Sequence, residues 1–185
     1  MEAFWTDKVH SLSLNFFEGF MEIVFYPDDL LRVKTKAVLN IDDELRNIAF
    51  KMVNLMDINK GVGLAAPQVG LDLSIFVVRE NVMSKPLVFI NPLITETSFE
   101  LSVYKEGCLS IPGVYYDLLR PKSITVEAYD ENGKFFKIES SSLLARVVQH
   151  EMDHLKGVLF IDYYEDKLRN KLLKPYMKGR RLVKT

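Results

Sequence analysis

His150-Glu151-Met152-Asp153-His154 constrains this chain more than any other stretch, because its chemistry exists only if these residues lie on a helix. Positions four apart on a helix project from one face, one turn above each other, so the two imidazoles can share one metal ion. Glu151 then lies beside them, placed to take a proton from a water activated there without being a ligand itself. The helix can be read from its surroundings. Ser140-Ser141-Ser142 supplies caps, Leu143 to Lys156 runs without a breaker, and Gly157 follows as the terminating residue. The competing reading is a surface helix on which two His and one Glu coincide.

The rest of the chain reads as mixed α and β. Asp42 or Asp43 can cap a helix whose apolar residues Leu45, Ile48, Ala49, Met52 and Met56 recur every three or four positions, ending near Asn59 and Gly61. Leu73 to Arg79, Leu87 to Ile94 and Ile124 to Tyr129 are rich in β-branched and aromatic residues, which predicts strands. Asn132-Gly133, between Val126-Glu127-Ala128-Tyr129 and Phe135-Phe136-Lys137-Ile138, signals a hairpin and hence antiparallel pairing. A last helix is expected from about Asp162 to Met177, with Pro175 at its end. This order of elements predicts an α+β fold rather than parallel βαβ units. The 185 residues contain no repeat or linker and fit one domain. That domain is expected over residues 21–185. Residues 1–20, aromatic but broken by Asp7, Lys8, His10, Asn15 and Glu18, lack a secretory apolar core and read as an extension of unknown role, with Met21 as an alternative start.

Two imidazoles do not complete a catalytic metal site, which usually has three protein ligands and one open position. A third His six residues after His154 would mark a metzincin, but that position is Phe160. Glu165 can serve as a distant ligand only if Gly157 does not turn the chain away first. Cys108, in the turn-like segment Glu106-Gly107-Cys108-Leu109-Ser110, is the other candidate, although a lone thiol also fits a small buried hydrophobe. As the single cysteine it forms no internal disulfide, so a disulfide-framework secreted protein is excluded and a reducing cytoplasm is expected. Gly61-Val62-Gly63-Leu64-Ala65-Ala66-Pro67-Gln68 has two glycines that permit close backbone approach and a neutral amide in Gln68. It lacks the Gly-Lys-Ser/Thr ending of a phosphate loop.

Taken together, G-V-G-L-A-A-P-Q, E-G-C-L-S and Q-H-E-M-D-H resemble the three signature motifs of the peptide deformylase family, in its bacterial and organellar type 1 form. Tyr26-Pro27-Asp28 followed by Leu30-Leu31-Arg32 resembles the family's opening segment, so the resemblance spans about residues 21 to 177. It implies that Cys108, His150 and His154 bind one divalent metal ion, typically Fe2+, with Zn2+, Ni2+ or Co2+ able to take its place. It implies further that Glu151 is the acid/base, that Gln68 and the Leu109 backbone N–H bind the oxyanion, and that Gly63 contacts substrate. The implied fold has antiparallel sheets around a central motif helix, and a C-terminal helix. The implied substrate is the N-formylmethionyl end of a nascent peptide, which loses formate. An H-E-x-x-H endopeptidase and a non-catalytic, metal-binding ribosome-associated protein are the competing functions.

Substrate preference and partners have their own signals. Leu143 and Val147 precede His150 by seven and three residues on the ligand-bearing face and, with Val62, are either the wall of a Met pocket or ordinary core. Arg146 breaks that apolar pattern and is expected to face a carboxylate or solvent. From Glu165 to Thr185 eight Lys or Arg stand against one Glu and one Asp, which reads as a solvated face or as a docking surface for the ribosome. No apolar run of about 18 residues is present, so no membrane-spanning helix is expected.

Overall fold

The computed structural model describes residues 21–80 and 83–183; the expectations for residues 1–20 lie outside the described residues. Among these residues, seven strands form two antiparallel sheets. β1 (Gly63–Ala65), β2 (Ile75–Val78), β3 (Leu87–Thr97), β6 (Ile124–Tyr129) and β7 (Phe135–Ser140) make a five-stranded sheet in the order β1-β2-β3-β6-β7. β4 (Leu101–Cys108) and β5 (Ile111–Pro121) pair with each other, as a separate ribbon. Three α-helices accompany them: α1 (Asp43–Ile58), α2 (Leu143–Leu155) and α3 (Asp166–Val183).

Alternation along the strands explains how the layers assemble. Ile75, Val77, Val88 and Ile90 pack with Leu45, Ala49, Met52 and Met56 of α1 on one face of the larger sheet. Phe76, Val78, Phe89, Val126 and Ala128 pack with Leu144, Val147, Val148 and Met152 of α2 on the other. A strand covered on both faces reads as a continuous apolar run, which is how Ile75-Phe76-Val77-Val78 stands in the sequence. The ribbon closes over the opposite side of α2. Every residue from Leu144 to Leu155 is therefore buried, the polar ones included, and a helix buried all round must find internal partners for each of them.

Local chemistry sets the helix ends. The Asp42 carboxylate accepts the Leu45 N–H at 3.0 Å, making Asp42 the cap of α1, and Ser142 accepts the Leu144 N–H at 3.2 Å to start α2. Gly157 ends α2 at φ 72°, where its α-carbon lies against the Arg32 carbonyl and leaves no room for a side chain. The Asn132-Gly133 hairpin forms as expected, with Gly133 at φ 76° and the Asp130 carboxylate accepting the Asn132 and Lys134 N–H groups.

The last helix departs from expectation at both ends. Asp162 does not open it. Asp162 belongs to a 3-10 turn, Phe160–Tyr163, where it accepts the Leu159 N–H and pairs with Arg32. Pro175 lies inside α3 rather than at its end. The proline removes one helical hydrogen bond, and the helix continues because Leu173 and Tyr176 are anchored against Leu31, Ile111, Val114 and Phe160. The ribbon strands were not among the expected strands.

Candidate metal centre

α2 and the ribbon tip build the centre between them. Cys108 ends β4 and pairs with Ile111, so Leu109-Ser110 is a two-residue turn that presents the thiol to the helix. The donor atoms of Cys108, His150 and His154 lie within 4.8 Å of one another, with Cys108 Sγ 3.2 Å from His154 Nε2. A thiol and two imidazoles gathered this closely are the donor types and number that a catalytic metal site takes from its protein. Glu165, the competing ligand, lies outside the cluster, past the turn at Gly157. Two buried polar atoms here have no partner among the described residues, Glu151 Oε2 and His154 Nδ1. A thiol, two imidazoles and a neighbouring unpartnered carboxylate oxygen fit a divalent cation.

The glycine segment meets this centre from the sheet side. β1 brings Gly63 so close to α2 that an added Cβ would collide with Glu151 Oε1 and lie 2.7 Å from Val147 Cγ1. Glycine is thus required for Glu151 to occupy its position. Burial pushes the Glu151 carboxyl up to about 7, against the lowering effect of His150. Gln68 follows in a 3-10 turn, Ala66–Val69, and is itself buried. Its Oε1 accepts the Ala65 N–H at 2.8 Å, which aims Nε2 at Ser110 Oγ (3.3 Å) and Cys108 Sγ (3.4 Å). The structure therefore brings Gln68, Gly63, Val147 and Glu151 to the Cys108, His150 and His154 cluster. Leu109 is partly buried at the turn, Leu143 partly buried at the start of α2, and Val62 exposed just before β1.

A buried charge network behind His150 was not legible from the motif alone. The Glu106 carboxylate lies 3.1 Å from His150 Nδ1 and accepts from Arg120 Nε at 2.7 Å and Arg146 at 3.1 Å. Arg120 also donates to Asp153 at 2.6 Å, and Asp153 accepts the Tyr163 hydroxyl at 2.9 Å. Burial opposes the charge on Glu106, but the hydrogen bonds from His150 and Arg120 prevail and hold its carboxyl down at about 2. With Nδ1 taken by Glu106, His150 turns Nε2 toward the cluster, an arrangement that orients metal-binding histidines generally. Arg146, expected to face a carboxylate or solvent, faces this carboxylate. Glu106 stands within the E-G-C-L-S motif, whereas Arg120 carries no local signal. A surface hollow of about 510 Å³, lined by residues such as Glu96, Thr125 and Glu139, shares no residue with the centre.

An α+β fold in which one buried helix carries H-E-x-x-H and a hairpin tip adds a thiol defines a class: a hydrolase-type centre able to hold a metal. The comparisons with known proteins narrow it. The family model described as polypeptide deformylase matches residues 20–170. A peptide deformylase of Borreliella burgdorferi is 72% identical over 162 residues, covering 88% of this chain and 98% of that protein. Among solved structures, a peptide deformylase from Legionella pneumophila superposes with a TM-score of 0.84 at 36% identity, covering 89% of this chain and 97% of that one. One from Synechococcus elongatus, in complex with actinonin, gives 0.79 at 44% identity over 84% and 85%. The chain belongs to the polypeptide deformylase family.

Proposed function

We propose that the chain hydrolyses the formyl amide at the start of N-formylmethionyl nascent peptides, releasing formate and a free methionyl N-terminus. One observation carries this reading beyond family membership: the non-ligating acid Glu151 and the amide of Gln68 converge on the same Cys/His cluster. Cys108, His150 and His154 would hold the metal, read as Fe2+ with Zn2+, Ni2+ or Co2+ as substitutes. When bound, that ion supplies Lewis acidity beside the formyl group. Glu151 takes the proton of the attacking water and later delivers it to the departing amine. The Gln68 Nε2 amide and the Leu109 N–H donate to the formyl oxygen as negative charge develops on it. Val147, packed against Gly63, with Leu143 and Val62, offers an apolar wall suited to an unbranched Met side chain. Formate release from a short formyl-Met peptide tests the reading, and cleavage of internal peptide bonds at a comparable rate would favour an endopeptidase instead.

The third ligand has a separate test. Cys108→Ser is expected to lose metal affinity even without oxygen, because a neutral hydroxyl is a far poorer donor than a thiolate. Metal content after anaerobic gel filtration measures it. Full occupancy with normal deformylation in that variant would remove Cys108 from the ligand set.

No helix among the described residues is long and apolar enough to cross a membrane. We read the site of action as the cytoplasm, at the ribosome. Lys167, Lys171, Lys174 and Lys178 lie at spacings of four, three and four, a basic stripe along the outer side of α3. Leu173 and Tyr176 bury the inner side. Changing these four lysines to glutamine should weaken ribosome binding and flatten its salt dependence, by roughly one unit of log–log slope for each phosphate that a lysine had neutralised. Turnover of a short peptide should stay as it was. Ribosome affinity indifferent to the change would end the docking reading.

A further inference from the structure

α3 reaches the centre by its inner side as well. Its Tyr176 hydroxyl donates to the Tyr26 carbonyl at 2.7 Å and lies 3.4 Å from the Ser110 carbonyl. Arg180 donates to the same Tyr26 carbonyl and, at 3.1 Å, to the Tyr176 hydroxyl. Tyr26 belongs to an extended segment that joins two parts of the site: the Tyr26 N–H donates to the Ser110 carbonyl at 3.0 Å, and the Val24 N–H to the Gln68 carbonyl at 2.7 Å. Ser110 is fully buried, and its hydroxyl accepts from the Gln68 amide. The clasp thus reaches both residues that frame the formyl-oxygen side, Gln68 at its main-chain carbonyl through Val24, and Leu109 through the adjoining Ser110.

We propose that Tyr176 is a positioning residue for deformylation, with α3 holding the Leu109-Ser110 turn and the Gln68 main chain in register through the segment from Val24 to Tyr26. This rests on the reading of Gln68 and Leu109 as donors to the formyl oxygen. A hydroxyl so placed affects rate more than substrate affinity, because donors aimed at developing charge lose effect when displaced by even a fraction of an ångström. Leu173, three residues earlier, packs the same helix onto the same core without joining the hydrogen-bond chain, which separates positioning from simple packing.

The experiment compares full-length Tyr176→Phe, Arg180→Met and Leu173→Ala, loaded with one metal to equal content and assayed below their melting transitions. Tyr176→Phe should lower kcat about tenfold with KM within about twofold of wild type. Arg180→Met should give a smaller loss of the same kind, and Leu173→Ala should lower Tm while keeping kcat. The Leu109 and Ser110 amide resonances should shift in Tyr176→Phe and not in Leu173→Ala. Wild-type kcat with unmoved resonances in Tyr176→Phe overturns the positioning role. So does an equal loss of kcat in Leu173→Ala, which would make packing of the helix sufficient. If Gln68→Ala instead keeps full kcat, the oxyanion reading falls, and Tyr176 is then judged by its own kcat and resonances.

Discussion

Glu151→Gln is expected to lower turnover at least about a hundredfold while the metal stays bound, since general acid/base help is typically worth 10² to 10⁴. The expectation rests on three features. Glu151 is outside the Cys108, His150 and His154 donor set, its Oε2 has no partner among the described residues, and burial raises its carboxyl to about 7, which suits the proposed role of accepting and then delivering a proton. Gln keeps the shape against Gly63 and removes only the proton traffic. Metal analysis beside kcat separates the two roles: loss of stoichiometric metal in the variant would make Glu151 a ligand.

Glu106→Ala should cost about 3 to 5 kcal/mol of stability, because it leaves two buried guanidinium groups short of their carboxylate. Arg120 would retain Asp153, and Arg146 the Ser102 and Leu118 carbonyls. Metal affinity should fall by about 10- to 100-fold as well, since His150 loses the acceptor that fixes its ring. Urea titration and chelator competition measure the two effects. The stability gap between wild type and variant should depend on pH in a defined direction. With the folded carboxyl at about 2 against an ordinary value of 4.5, its contribution is full above about 4.5 and fades as pH falls toward 2. A variant equal to wild type in both measurements would mean that Glu106 neither orients His150 nor supports the ribbon.

What can be read from the sequence is local. The α2 caps, the stop at Gly157, the Asn132-Gly133 hairpin and the amphipathic spacing of α1 depend on residues a few positions apart, and all four form. The ribbon escapes such a reading because its outer face exposes Leu101, Val103 and Leu119 while Glu106 and Arg120 turn inward. Gly107, Pro112 and Gly113 further mask the strand pattern. α3 runs past Pro175, where a local rule would stop it, because the compensation comes from tertiary anchors at Leu173 and Tyr176. Among the site residues, the two imidazoles and Glu151 follow from spacing. Cys108 is undecided on its own chemistry and gains meaning only beside the other two motifs. Arg120 acts through a partner fourteen residues away on the neighbouring strand, and no local pattern announces such a pairing.

The ribbon has a kinetic consequence. β4 and β5 share no ladder with the larger sheet, so their attachment depends on the Glu106, Arg120, Arg146 and Asp153 cluster and on the apolar packing of Ile111, Val114 and Leu118. Such a hairpin is a natural unit of partial unfolding, able to lift while the helix and the main sheet stay intact. Cys108 would leave with it, and both histidines would remain behind on α2. If Cys108, His150 and His154 hold a metal, its escape would be gated by the opening of one hairpin, at a rate set by how tightly those charged side chains and the apolar packing beside them hold the ribbon down.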